Sequence, residues 1–404
     1  MFDPFSPEFT NNPYPSYAAL REEPGLPYSE DMNAHMVARY KDVTAIAVNP
    51  KMVRVLDDIL PPEEIKAAQR AANWHDMPNH ERYVQHSLLD SDGDMHDRLR
   101  LLVMREFTSR FVERHRHMIR QFVDRLLDQL LEQQDFDFID DLAAHVPGHI
   151  IGHVLGVPDE DCPQLRIWSE DIVQFFDMDR TQERKQLAER ATTEFSDYIK
   201  GMVAIRRAAP KDDLLSTLIA AQDAGKMSET ELISTSLLIL MAGHGSTIDV
   251  LGTGLMACLR FPDQLQRLRD DPALIPSAVQ EMFRYESPLP YFHRYATEEV
   301  EVAGKSYPKG TKFGLLYGAA NRDPAQFPHP DTFDVGRAPN RHVAFGQGPH
   351  LCLGNQLSRL DMEVIFARML SRTCEINLNQ DAPLYRPGVA TRGLLQLRVT
   401  MTPS

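Results

Sequence analysis

Apolar residues recur at helical spacing over most of this chain. The periodicity predicts helices over about 96–134, 137–155, 160–176, 182–208, 228–258, 262–286 and 353–372, with a short one at 13–22. Strand signals are few. A patch around Met36–Tyr40 is one, and Val300–Val302 and Thr311–Leu316 flank the turn Pro308-Lys309-Gly310. A further pair is expected near the C-terminus, ending in Leu395–Val399. Residues 62–90 read as irregular and polar, with Trp74, His75, Pro78, His80 and His86. The Pro-rich stretch between Asn321 and Gly346 has little periodicity and is expected to be an ordered loop. Leu237, Leu238, Ile239, Leu240 and Met241 are apolar on every side, so the helix they belong to is expected to be buried. The class is mainly α with a small β region. No repeat or shift in composition marks a boundary, so residues 1–404 are expected to form a single domain.

The 404 residues are 43% hydrophobic, enough for a large core. The net charge of −15 gives no sign of nucleic-acid binding. Cys162, Cys258, Cys352 and Cys374 are dispersed without a CxxC pair, which suits a reducing cytoplasm. The start, Met1-Phe2-Asp3-Pro4-Phe5-Ser6, is unlike a signal peptide. No apolar run is read as long enough for a membrane span. A cytoplasmic protein with no membrane anchor is expected.

The most informative segment is Phe345-Gly-Gln-Gly-Pro-His-Leu-Cys352-Leu-Gly354. Gly346 and Gly348 permit a tight turn that brings backbone N–H groups close to a ligand or to sulfur. Helical spacing from Leu353 places Cys352 at the start of a helix, where the dipole favours a thiolate. A thiolate there suits haem iron. The segment resembles the haem-binding signature of the cytochrome P450 family, F-G-x-G-x-H-x-C-x-G, at Phe345, Gly346, Gly348, His350, Cys352 and Gly354.

Further segments resemble the same family in order. Glu281 and Arg284 form its E-x-x-R pair on one helix face, with Arg294 on the strand that follows. The resemblance gives that pair a structural role, locking the core beneath the haem through the Pro-rich segment. His96 and Arg100 resemble the H-x-x-x-R segment, one helical turn apart, although Gly93-Asp94 departs from the expected proline neighbourhood. It makes His96, Arg100, Arg294 and His350 candidate partners for the haem propionates.

The family's oxygen-activation pattern, A/G-G-x-D/E-T-T/S, aligns with Ala242-Gly243-His244-Gly245-Ser246-Thr247. Ala242 and Gly243 allow close approach of a flat cofactor. Gly245 stands where the acid is expected, and Ser246 keeps an alcohol. Ser246 and Thr247 are the catalytic candidates. The proton route stays open between His244, Asp249, water and a substrate hydroxyl.

Other motifs fail. His80-Glu81 has Val84 where a zinc-protease helix needs its second histidine. Gly346-Gln347-Gly348 lacks the third glycine of a dinucleotide fingerprint, because Leu351 stands there.

The resemblance implies a P450 fold without a fused reductase, haem b on Cys352, and insertion of one atom of dioxygen into an organic substrate. Electrons would come from a separate ferredoxin or flavodoxin docking on the Cys352 side, with Arg98, Arg105 and Arg359 as candidate contacts. By family position, the pocket draws on residues 70–88 and 165–185, Leu238, Met241, Leu289, Pro290, Phe292, Val389 and Ala390. A mid-sized, largely apolar substrate of terpenoid or aromatic type is expected. The missing acid keeps two alternatives open: altered chemistry on the same fold, and a haem-binding sensor without turnover.

Overall fold

The computed structural model describes residues 2–57, 59–177, 180–380 and 382–404. Its contacts gather into two compact units. One comprises Met1–Met52, Val112–Val146 and Ser246–Ser404; the other comprises Val53–Phe111 and Pro147–Gly245.

The first unit holds most of the β structure. In its main sheet the strands Tyr28–Ser29, Ala34–Val37, Lys312–Leu316 and Tyr291–Ala296 lie side by side in that order. Ala34–Val37 runs parallel to Lys312–Leu316, and Tyr291–Ala296 runs antiparallel to it, pairing Arg294 with Phe313. A second sheet sets Arg398–Pro403 between Asp135–Asp137 and Thr373–Leu378. Helices Ile275–Tyr285 and Asn355–Arg372 pack around this frame.

The second unit is helical, with Gly93–Met104, Val146–Leu155, Cys162–Val173 and Gln182–Ala208 as its principal elements. The last of these matches the expected span. Thr181 caps it, its hydroxyl accepting from the Arg184 amide at 3.2 Å. The turn after Val146–Leu155 is held by Gly156 (φ +87°), where a Cβ would meet the Asp213 carboxylate.

Several boundaries differ from the sequence reading. Residues 62–90 are not irregular: Pro62–Ala71 is a helix started by proline, and Pro78–His80 leads into a π-turn at Glu81–Gln85. The stretch 96–134 is broken at Arg105–Phe107 and Glu113–His115 into separate helices. In the stretch 137–155 a strand and a π-turn precede the helix. Tyr40 opens a helix rather than ending a strand. Val300–Val302 pairs across Ala303-Gly304 with Lys305–Tyr307, not with Lys312–Leu316, because Gly304 (φ +75°) makes the tighter turn.

The central helix, Glu229–Arg260, is the one described helix long and apolar enough to cross a membrane by length and composition, contrary to the sequence reading. Of its most apolar window, 72% is buried within the protein, so that apolarity serves the core.

Candidate active site

The loop before Cys352 is shaped by two glycines. Gly346 (φ +67°) and Gly348 (φ +74°) lie in the left-handed region, and a Cβ on Gly348 would meet the Ala47 carbonyl at 2.5 Å. The loop closes by two backbone bonds: the Cys352 amide donates to the Phe345 carbonyl (2.9 Å) and the Leu351 amide to that of Gly348 (3.0 Å). The following helix runs Asn355–Arg372, with Gly354 as its cap. Cys352 therefore stands two residues ahead of the cap rather than in the first turn, and it is exposed. Nothing lies within 4 Å of where a Gly354 Cβ would be.

Phe345 anchors this loop. Its ring lies 4.4 Å from that of Phe283, on helix Ile275–Tyr285, and the Arg359 guanidinium sits 4.9 Å above it. Arg359 is half-buried. Its charge interacts with Cys352, which favours a negative sulfur. His342 stacks on Phe283 and is held neutral by burial and by Arg359 and Arg284, its pKa pushed down to about 3.

Beneath lies the buried pair Glu281–Arg284. Arg284 donates to both Glu281 oxygens (2.7 and 2.8 Å) and to the carbonyls of Asn321, Pro330 and Thr332. Glu281 also accepts from Arg337 Nε (3.1 Å), Asn340 Nδ2 (3.1 Å) and the Asp334 amide (2.9 Å). The Pro-rich stretch is thus wrapped around one ion pair. Sequence reasoning found Glu281 and Arg284 but missed Arg337 and Asn340, which looked like ordinary loop residues.

The central helix is buried from Leu232 to Met241 and again from Thr247 to Leu259's neighbour Cys258. Between them it opens. Ala242 is exposed, and Gly243, Gly245 and Ser246 are partly so; positions 242, 245 and 246 share one face. A Cβ on Gly245 would meet nothing within 4 Å.

The neighbours point elsewhere. His244 is buried against Gly148, with neither ring nitrogen hydrogen-bonded, and desolvation lowers its pKa to about 4. Asp249 is buried beside Gly393 and 3.4 Å from Arg386; desolvation raises its pKa to about 6. Thr247 is buried, its hydroxyl 3.1 Å from that of Ser358.

Of the basic candidates, His96 and Arg294 are each 2% exposed, while Arg100 and His350 are half-buried. His96 and Arg100 lie one turn apart on Gly93–Met104. His96 Nδ1 is 3.1 Å from Asp97, and Arg294 donates to the His293 carbonyl at 2.9 Å. Arg98 pairs with Glu231, and Arg105 stacks on Phe111.

The pocket candidates divide. Leu238 and Met241 are buried in the central helix; Leu289 and Phe292 are half-buried beside the buried Pro290. Val389 is packed in a core cluster with Tyr17, Leu316 and Ala319, and Ala390 is half-buried. In the 70–88 and 165–185 stretches, His80 is enclosed by Trp74, Phe175 and Phe176, with ring separations of 5.5, 5.7 and 6.3 Å. Met178 and Asp179 lie outside the described residues.

Within the first unit, the exposed Cys352 sulfur with the Arg359 charge acting on it, and the basic groups Arg294 and His350, form a donor set whose chemistry fits haem. Comparison with known families decides the matter: the cytochrome P450 family model matches residues 33–388. The chain belongs to the cytochrome P450 family. It is 33% identical to the polyketide biosynthesis cytochrome P450 PksS of Bacillus subtilis, covering 100% of this chain and 99% of that protein. It is 35% identical to 6-deoxyerythronolide B hydroxylase of Saccharopolyspora erythraea, covering 96% of each. Among solved structures it resembles P450BioI in complex with hexadec-9Z-enoic acid ligated acyl carrier protein, with 32% identity, a TM-score of 0.89 and coverage of 98% and 99%. The protein is a haem-thiolate monooxygenase of the P450 fold, acting with dioxygen and redox partners on an organic substrate.

Proposed function

We propose that this P450 oxidises a mid-sized, largely apolar molecule bearing one polar group, of terpenoid, aromatic or polyketide type. The observation that carries the reading is the open face at Ala242, Gly243, Gly245 and Ser246 on an otherwise buried helix. Bare backbone there leaves room for a flat cofactor and a bulky skeleton. The names of the relatives, with polyketide biosynthesis, 6-deoxyerythronolide B and a hexadecenoyl chain, support the size and apolarity.

Bound haem supplies reductive activation of dioxygen and insertion of one oxygen atom. Cys352 would be its thiolate ligand, with the Arg359 charge favouring the thiolate. His96, Arg100, Arg294 and His350 would hold its propionates, because buried carboxylates need cationic or donor partners. Ser246 would hold and pass a proton at the open face. Thr247 is engaged with Ser358, and His244 and Asp249 are turned into packed interior, so water or the substrate completes the path. A second reading follows from Gly245: without an acid, either the substrate's own hydroxyl serves as donor or the outcome is not a hydroxylation.

We read residues 1–404 as one P450 domain, an assignment supported by a family match that runs across both compact units. We assign it to the cytoplasm and its electron supply to a ferredoxin or flavodoxin. Docking beside the exposed Leu351 would bring the donor close to Cys352.

The test is a spectral binding screen over terpenoids, aromatic acids, macrolactones and fatty acids, followed by NADH-driven turnover with surrogate ferredoxin and flavodoxin. Substrate-type shifts and oxygenated product with one apolar class are expected. Binding confined to small polar compounds would overturn the substrate reading.

A further inference from the structure

The corner between helices Val146–Leu155 and Cys162–Val173 gathers three side chains that nothing in the oxygen chemistry uses. His149 lies on the first helix, Asp159 in the turn Asp159–Asp161, and Cys162 at the start of the second helix. Their ligand atoms all lie within 4.8 Å of one another, and His149 Nε2 is 4.0 Å from Asp159 Oδ2. His149 and Cys162 are buried, whereas Asp159 is exposed.

The corner is rigid around them. Gly152, one turn from His149, makes room for the sulfur: a Cβ there would lie 2.6 Å from Cys162 Sγ. The preceding turn is clamped by the buried pair Arg206–Asp213 (2.6 Å), with Arg206 also donating to the Gly156 carbonyl. The sulfur is thus closely packed and the turn before it is held by an ion pair, while the carboxylate is exposed.

We propose that His149, Asp159 and Cys162 form a zinc site, with water in the fourth position. Tetrahedral zinc with one sulfur, one nitrogen and one oxygen ligand needs donor separations of about 3.3–3.7 Å. Closing the present spacing takes movements of roughly 1 Å among the three side chains. A thiol with an imidazole selects zinc over magnesium or calcium, whose oxygen-only preference leaves the sulfur unused.

The electrostatics agree. Asp159, Asp161 and Glu160 place negative charge around the buried Cys162 sulfur, a field that attracts a dication. An incoming dication reverses that field: zinc displaces the thiol proton to solvent and takes the thiolate.

Such a site bears on the open face. Gly148 and Ile151, which flank His149, pack on His244 and Gly243 of the central helix; a Cβ on Gly243 would lie 2.8 Å from Ile151 Cδ1. Zinc would tie the helix that backs the oxygen-activation segment to the helix that follows it.

The test uses tag-free, haem-loaded protein, stripped with EDTA, equilibrated with zinc chloride and desalted; zinc is measured per haem iron. Wild type is expected to keep one zinc per haem. His149→Ala and Cys162→Ala should each weaken binding at least about tenfold, while Cys374→Ser keeps it. Zinc should also raise the thermal midpoint of wild type and not of Cys162→Ala. His149→Gln and Cys162→Ser replace either alanine variant that loses the thiolate Soret signature. No zinc above the Cys162→Ala level, or loss in only one of the two ligand variants, overturns the site. In that case the His149–Asp159 pair and the Cys162–Pro158 contact (3.6 Å) account for the cluster.

Discussion

The hydroxyl of Thr247 lies 3.1 Å from that of Ser358, joining the central helix to the helix behind Cys352. One of the two catalytic candidates on the sequence therefore faces Ser358, and its neighbour Ser246 is partly exposed.

Ser246→Ala and Thr247→Ala should separate accordingly. Ser246→Ala is expected to divert reducing equivalents from product into peroxide while substrate affinity holds, because the loss falls on turnover rather than ground-state binding. Thr247→Ala should cost about 1 kcal/mol of stability and leave coupling near wild type. Product and peroxide per NADH, with spectral titration, measure both. Unchanged coupling in Ser246→Ala would remove that hydroxyl from the proton path.

Gly245→Glu restores the acid of the family pattern. A Cβ there meets no protein atom within 4 Å, so the new carboxylate would share the open face with cofactor and substrate. Replacing a mid-helix glycine is expected to stabilise the protein by up to about 1 kcal/mol. A higher turnover would mark the absent acid as limiting. A stability loss in urea denaturation would mean that the open face is filled in solution.

Glu281→Gln should be severe. It leaves Arg284 and Arg337 buried against a neutral partner, with an expected cost of about 3–5 kcal/mol. Denaturation midpoints and haem content report it. A cost below about 1 kcal/mol would contradict the role of this carboxylate as the centre of the Pro-rich segment.

Truncating His96 and Arg100 together should weaken haem retention. A partly buried propionate left without partners costs about 1–3 kcal/mol. Transfer of haem to apomyoglobin is expected to speed up about tenfold or more. Wild-type haem retention would assign the propionates to other groups.

Stability should fall in acid. His80, His244 and His342 have folded pKa values of about 3, 4 and 3, below the ordinary histidine value. The unfolded chain therefore takes up protons first, and their contribution, complete above about pH 6.5, is lost as pH falls through the folded values. Asp249, raised to about 6, acts in the opposite sense and is outnumbered. His244→Leu should make the limb between pH 6.5 and 4 shallower, by on the order of 3 kcal/mol. Thermal midpoints across that range check it, and an unchanged slope would show that His244 is hydrated in the folded state.

The fold and the cysteine loop were legible because they rest on local signals. Gly346 and Gly348 take the left-handed backbone that their spacing suggested, and Gln182–Ala208 carries an unbroken helical period. What stayed hidden depends on distant partners. Arg337 and Asn340 acquire meaning only against Glu281, more than fifty positions earlier, and Thr247 only against Ser358. Residues 62–90 read as irregular because Pro62–Ala71 is a surface helix with no buried residue to mark its period.

The Glu281 cluster also couples two parts of the chain. The segment carrying Asp334, Arg337 and Asn340 has little regular structure of its own, and its polar groups converge on a carboxylate held by helix Ile275–Tyr285. The loop ending in Cys352 follows directly, and Phe345 packs on Phe283 from the same helix. One helix thus supports both the Pro-rich segment and the cysteine loop, so damage to its Glu281 face reaches the sulfur without touching it.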